Sequence, residues 1–124
     1  MAKKVIPFEG PFPLSKAIIY DSKQVMEISG QIGVNPETNK LEEGIEKQTE
    51  RAMETIKAIL ENEGWTMADI VKTRIYMADM KDYGKMNEVY SKYFSGDYPT
   101  RFALSVKELP RGALVEIDCA AAKD

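Results

Sequence analysis

Apolar and polar positions recur along this chain with two different periods, and these divide it into helices and strands. From Ile45 to Leu60, the residues Ile45, Thr49, Ala52, Met53, Ile56, Ile59 and Leu60 fall at helical spacing. Glu46, Lys47, Glu50, Glu54 and Lys57 take the opposite side, and Gly64 supplies a stop. A second helix is expected over residues 81–94, burying Tyr83, Met86, Tyr90 and Phe94, with Gly96 and Pro99 ending it. Elsewhere the period is two. Residues 3–6, 17–20 and 25–29 read as short strands, the last two joined by a tight turn at 21–23, and 35–39 reads as a loop. Residues 69–77 place Val71, Thr73, Ile75 and Met77 on one face. Strands over 101–106 and 113–121 close the chain, joined through Leu109, Pro110, Arg111 and Gly112. The predicted order is βββ-α-β-α-ββ: an α/β (α+β) domain in which two amphipathic helices cover one face of a sheet.

Alternation also predicts what the other sheet face carries. In 101–106, Phe102, Leu104 and Val106 form an apolar set, expected to face the helices, and Arg101, Ala103 and Ser105 form the other. In 113–121, Val115, Ile117 and Cys119 are apolar, opposite Leu114, Glu116, Asp118 and Ala120. Lys72, Arg74 and Tyr76 stand opposite the apolar set of the strand over 69–77. On this reading Arg101 and Glu116 share the mixed face. That face either meets water or meets another subunit, and Tyr76, Ala103, Leu114 and Ala120 make it more apolar than water requires.

Composition narrows the chemistry. With 124 residues the chain suits one domain, 1–124, and with 44% apolar and 30% charged residues it has globular proportions. The net charge of −3, with no run of basic residues, gives no drive toward nucleic acid. No stretch approaches a membrane span and the N-terminus has no signal-peptide core, so a cytoplasmic location with no membrane contact is expected. The lone Cys119 excludes an intramolecular disulfide and suits a reducing compartment. Histidine is absent, which excludes a Ser-His-Asp triad, a Cys-His pair and a His-ligated metal; no metal site is expected. No Gly-rich phosphate loop occurs. Any catalysis must use Arg, Glu, Asp, Lys, Tyr, Ser or backbone groups.

The run from Tyr98 to Ala121, YPTRFALSVKELPRGALVEIDCAA, closely resembles the signature of the RidA/YjgF family: Pro-x-Arg, a short strand, a Leu-Pro turn, then an acidic strand. Gly10-Pro11-Phe12, Ser29-Gly30-Gln31 with Asn35-Pro36, the segment 69–72 and the segment 86–90 agree, in order and at compatible spacing. The resemblance implies a chorismate-mutase-like fold with a mixed sheet. It also implies a homotrimer whose sheet faces turn toward a central barrel, with ligand sites between adjacent subunits. The implied activity is cofactor-independent hydrolysis of 2-iminobutanoate and 2-iminopropanoate to 2-keto acids and ammonia.

The resemblance implies roles residue by residue. Arg101 falls at the family's substrate-binding arginine, and a guanidinium can grip a carboxylate by two parallel hydrogen bonds. Its ordinary alternative is an ion-paired surface or interface arginine. Glu116 falls at the acid that orients or activates water; the alternative is a structurally satisfied carboxylate. Ser29 and Gly30 line the site, glycine allowing close backbone approach, unless they form a plain strand-end turn. Tyr83 is a pocket wall or core packing, and Asn87 a ligand contact or a helix-surface polar residue. Phe12 stands where many members carry Tyr: the aromatic wall is kept and the hydroxyl lost. Phe102 departs from the small residue that commonly follows the arginine, and Ala103 stands where some members carry Cys. Asp118 reads as structural, Cys119 as an inert core residue and Trp65 as a lid over the core.

Two functional classes remain at this point. One is an imine deaminase. The other is a non-catalytic protein that binds 2-keto acids or related small carboxylates, a reading that Phe12 favours. Some relatives are linked to RNA cleavage or chaperone-like action, which the acidic charge does not favour.

Overall fold

The structure is a computed structural model describing residues 2–124. Strands β1 (Ala2–Pro7) and β2 (Ser15–Asp21) form an antiparallel hairpin. Strand β3 (Gln24–Ile32) follows, then the two-residue strands β4 (Val34–Asn35) and β5 (Lys40–Leu41), which bracket the expected loop. Helix α1 (Ile45–Asn62), strand β6 (Ile70–Met77), helix α2 (Tyr83–Ser91), and strands β7 (Thr100–Ser105) and β8 (Val115–Lys123) complete the chain. The expected second helix is thus shorter at both ends, its first turn being a separate 3₁₀ turn, Met80–Asp82.

The central sheet has the order β3-β8-β6-β7 and is mixed: β8 runs antiparallel to both neighbours, while β6 and β7 are parallel. The crossover between the parallel pair is α2, as such a connection requires. The β1–β2 hairpin continues past β7, where the Ser15 amide donates to the Pro99 carbonyl at 3.1 Å and the Ser15 hydroxyl donates to the Tyr98 carbonyl.

Helix α1 buries Ile45, Thr49, Ala52, Met53, Ile56 and Leu60, the stripe its period predicts. Gly64 takes φ +79° past the C-terminus, a left-handed conformation that an L side chain resists. The stripe packs against Ile28, Ile75, Val115, Ile117 and Cys119 from the sheet, and Met86 and Tyr90 of α2 join the same core with Trp65 at its edge. One polar group, unremarked in the sequence, ties this core to its loops. Buried Gln48 donates to the Glu42 carbonyl at 2.9 Å and accepts from the Leu114 amide at 2.8 Å.

Strand β7 reverses the expected facing. Arg101 pairs with Thr73 and Ala103 with Ile75, both buried on the helix side, and the Arg101 side chain reaches α2. Phe102 and Leu104 instead lie on the open face, 40% and 42% exposed, with Phe102 edge-on to Tyr76 at 5.9 Å. Glu116 pairs with Tyr76 and lies on that open face. Arg101 and Glu116 therefore occupy opposite faces of the sheet, contrary to the expectation from alternation. The physical reason is that alternation sorts a strand into two sets but does not dictate which set faces the helices, and the more apolar set need not be the inward one. On β7 the helix-facing set carries a charge because α2 supplies polar partners for it.

Candidate functional site

Two groups of candidate residues emerge, one on each face. The first is built by β7, α2 and the loop between β1 and β2. Tyr83, Asn87 and Tyr90 recur at i, i+4 and i+7 and so share one side of α2. That side meets Arg101. Arg101 Nη1 donates to Asn87 Oδ1 at 2.8 Å and Nη2 donates to the Tyr83 hydroxyl at 2.9 Å. The guanidinium carbon lies 5.1 Å from the centroid of the Tyr90 ring and 5.7 Å from that of Tyr83, within cation–π range. Tyr90 is itself pinned, sharing a 2.8 Å hydrogen bond with Thr73 on β6. Its phenol pKa is pushed upward by burial, which keeps the ring neutral. Phe12 closes this group, 5.5 Å from Tyr83 between ring centroids.

All of Arg101's contacts are neutral. It forms no ion pair among the described residues, and its buried Nε has no hydrogen-bond acceptor. Two hydrogen bonds to uncharged oxygens hold the side chain in place and leave most of its donors and all of its charge unused. A partly buried cation without a counter-ion is costly, so the geometry fits an incoming anion. Beside it, a cleft of about 340 Å³ opens between the loop of Gly10 to Pro13 and α2, with Phe12, Asn87 and Tyr98 in its wall.

The second group lies on the open face, at the β3 side of the sheet. The register of β3 against β8 shifts between Ile28 and Gln31, so Ser29 and Gly30 sit in a bulge. A Cβ on Gly30 would collide with Glu116 Oε2: the absent side chain is the space that the carboxylate fills. Glu116 has no hydrogen bond or ion pair among the described residues. Asp118 is spent on the same face. Arg74 Nε donates to it at 2.6 Å, and the hydrogen bond and charge of Asp118 raise the Arg74 pKa. Cys119 is buried in the core and its thiol is pushed up to about 12, mainly by desolvation.

The structure thus brings Arg101, Tyr83, Asn87 and Phe12 together, and Glu116 with Gly30 and the Ser29 bulge, and does not bring the two groups together within one chain. Tyr90 was legible only as a core residue; its i+7 spacing from Tyr83 was the available signal for more. Among the described residues no cluster of acids or Cys could hold a metal ion, and no helix is long and apolar enough to cross a membrane.

Comparisons with known proteins bear on this arrangement. The sequence model of a family described as Endoribonuclease L-PSP matches residues 9–123. A RutC family protein of Pyrococcus abyssi is 43% identical, the match covering all of both chains. The 2-iminobutanoate/2-iminopropanoate deaminase of Mus musculus is 38% identical over 88% of this chain and 80% of its own. The crystal structure of RidA from an Antarctic Psychrobacter superposes with a TM-score of 0.77 at 37% identity, covering 94% of this chain and 93% of that one. With the signature from Tyr98 to Ala121 in place on β7 and β8, the chain belongs to the RidA/YjgF family.

Proposed function

We propose that this protein hydrolyses reactive 2-imino acids, and their enamine tautomers, to 2-keto acids and ammonia. The observation that carries the reading is Arg101: a guanidinium fixed by Asn87 and Tyr83, with no anionic partner among the described residues. A 2-imino acid presents a carboxylate that such a fork can hold by two charge-assisted hydrogen bonds. Glu116, unpaired at the Gly30 bulge, is the acid that orients and activates water. Water oxygen adds to C2 of the C=N bond and its proton passes to nitrogen, forming a carbinolamine. The hydroxyl proton then passes to nitrogen, the C–N bond breaks, and ammonia leaves with the bonding pair to give the 2-keto acid. No cofactor is needed for this balance.

Arg101 and Glu116 lie on opposite faces of one sheet, so a complete site requires Arg101 of one copy and Glu116 of another. A contact between two different surfaces forms a ring when its rotation closes, and we propose the homotrimer implied by the family resemblance, with three equivalent sites. The exposed Phe102 and Leu104 on the open face support burial against neighbours. The lone thiol fits the cytoplasmic setting expected from the sequence.

The test follows 2-iminobutanoate, generated in situ by a threonine dehydratase, for Arg101→Ala, Glu116→Ala and a refolded mixture of the two. Each variant alone is expected to lose about a hundredfold or more in kcat/KM. The mixture regains activity because some interfaces pair an intact Arg101 with an intact Glu116. No acceleration by the pure wild type would overturn the deaminase assignment; inactivity of the mixed assembly, with wild type active, would overturn the shared site. A second reading, 2-keto acid binding without turnover, is favoured by Phe12, whose ring brings no hydroxyl to the site. It predicts 2-ketobutyrate affinity in the wild type, lost in Arg101→Ala, without faster imine decay.

A further inference from the structure

Asn87 and the Tyr83 hydroxyl hold the two tips of the Arg101 guanidinium. A third residue of α2 meets the group differently. The guanidinium carbon lies 5.1 Å from the centroid of the Tyr90 ring. The Tyr90 hydroxyl is engaged with the Thr73 hydroxyl at 2.8 Å, so Tyr90 meets Arg101 with its ring and not with its oxygen. Thr73 is also the residue directly beside Arg101 in the parallel pairing of β6 and β7. One hydroxyl thus ties the ring to the strand position next to the arginine. Phe94 backs the ring at 5.0 Å between centroids, and Tyr90 and Thr73 are both almost fully buried. Burial also keeps the phenol protonated. The cation therefore faces the negative side of a ring quadrupole rather than a full negative charge. A carboxylate in that place would form an ion pair that an incoming anion must break, and an aliphatic chain would leave the charge with no attraction at all.

We infer that Tyr90 is a positioning residue for the anion anchor: in the free protein its ring holds the Arg101 guanidinium in the orientation that accepts a carboxylate. This rests on the reading of Arg101 as the carboxylate anchor of the deaminase. The effect belongs to the free protein, because a bound carboxylate itself fixes the guanidinium. Weakening the ring contact lowers the fraction of molecules with a competent anchor, and apparent affinity falls by the same factor. Saturating substrate restores the anchor, so KM changes and kcat holds.

The experiment replaces Tyr90 in the full-length oligomer by phenylalanine and then by di-, tri- and pentafluorophenylalanine. Fluorine draws charge from the ring face and leaves the ring's shape nearly unchanged, which a purely structural role would not register. Calorimetric titration gives Kd for 2-ketobutyrate, and kinetics give KM and kcat for 2-iminobutanoate. Kd and KM are expected to rise stepwise with fluorine content, by about tenfold across the series, the worth of a desolvated cation–π contact. Thr73→Val leaves the ring in place and unpins it; it and Tyr90→Phe should each weaken binding about threefold, the worth of one hydrogen bond. The double variant should be no worse than either, since both act through the same bond. A Kd that stays flat across a series with unchanged melting midpoints, or a loss in kcat alone, overturns the inference while the deaminase reading stands. Wild type that neither binds 2-ketobutyrate nor speeds imine decay overturns both.

Discussion

On one face of the central sheet, Ile28, Thr73, Ile75, Val115, Ile117 and Cys119 lie beneath the helices and are almost fully buried. On the other, β7 presents Phe102 and Leu104 some two-fifths exposed, and β6 and β8 present the Arg74–Asp118 pair and Glu116, which has no partner among the described residues. The first face is satisfied within the chain except at Arg101, whose buried Nε has no acceptor. The second mixes apolar area with charges that have found partners and one that has not. The difference teaches that a strand's more apolar set need not face its own core: on β7 it is the set turned outward, while the charged Arg101 goes under α2.

The largest effect expected from breaking this contrast comes from a matched pair of truncations. Ile117→Ala opens a cavity in a fully buried position and should cost about 3 kcal/mol of unfolding free energy. Leu104→Ala should leave the chain's own fold within about 1 kcal/mol and shift the oligomer toward monomer. Urea denaturation and sedimentation read the two outcomes, and equal destabilisation by both would erase the contrast between the faces.

Next in size is the anchor. Replacing Arg101 by Ala should lower kcat/KM about a hundredfold, the worth of a bidentate charged contact. Replacing it by Lys should recover little, because an ammonium cannot span Asn87, Tyr83 and a carboxylate together. A Lys variant with near-wild-type kinetics would show that charge alone matters at this position.

A third prediction concerns pH. Burial raises the Cys119 thiol from 9.0 to about 12, so the folded chain keeps a proton that the unfolded chain releases. The resulting stabilisation is complete below pH 9 and is lost as pH rises toward 12, by at most about 1.4 kcal/mol per unit. Denaturation midpoints of wild type and Cys119→Ala at pH 8 and pH 11 isolate this from the tyrosines. The wild type should lose more stability across the interval. The smallest effect belongs to Arg74→Met. Its ion pair is partly solvated, and its loss should cost no more than about 1 kcal/mol, while leaving Asp118 to repel neighbouring acids at low salt.

Much of this was legible beforehand, because helical and strand periods arise from burial on one side of an element. The stripe of α1, the alternation of Val115, Ile117 and Cys119 on β8 and the outward Lys72, Arg74 and Tyr76 on β6 are all found as their spacing implies. The grouping of Tyr83 and Asn87 with Arg101 was only partly legible, since it depends on which side of α2 crosses over β7. The facing of Arg101 was not legible from alternation. Neither was the bulge at Ser29 and Gly30, a property of how β3 registers against β8 rather than of either strand's composition. The Gln48 bridge escaped notice because a buried amide in a helical stripe looks like an interruption until its two backbone partners are known.

The two groups of site residues also differ in how much chain must come together to make them. Arg101 meets Asn87 and Tyr83 across separations of 14 and 18 residues, within one β-α-β crossover. Glu116 meets Gly30 only when β8 returns to pair with β3, near the opposite ends of the chain. Loop-closure entropy makes the first contact early and the second late in folding. In native-state hydrogen exchange, the amides of β3 around the bulge should open at lower free energy than those of β6. The anion anchor would then persist in partly opened molecules that have already lost the acid meant to complete the neighbouring site.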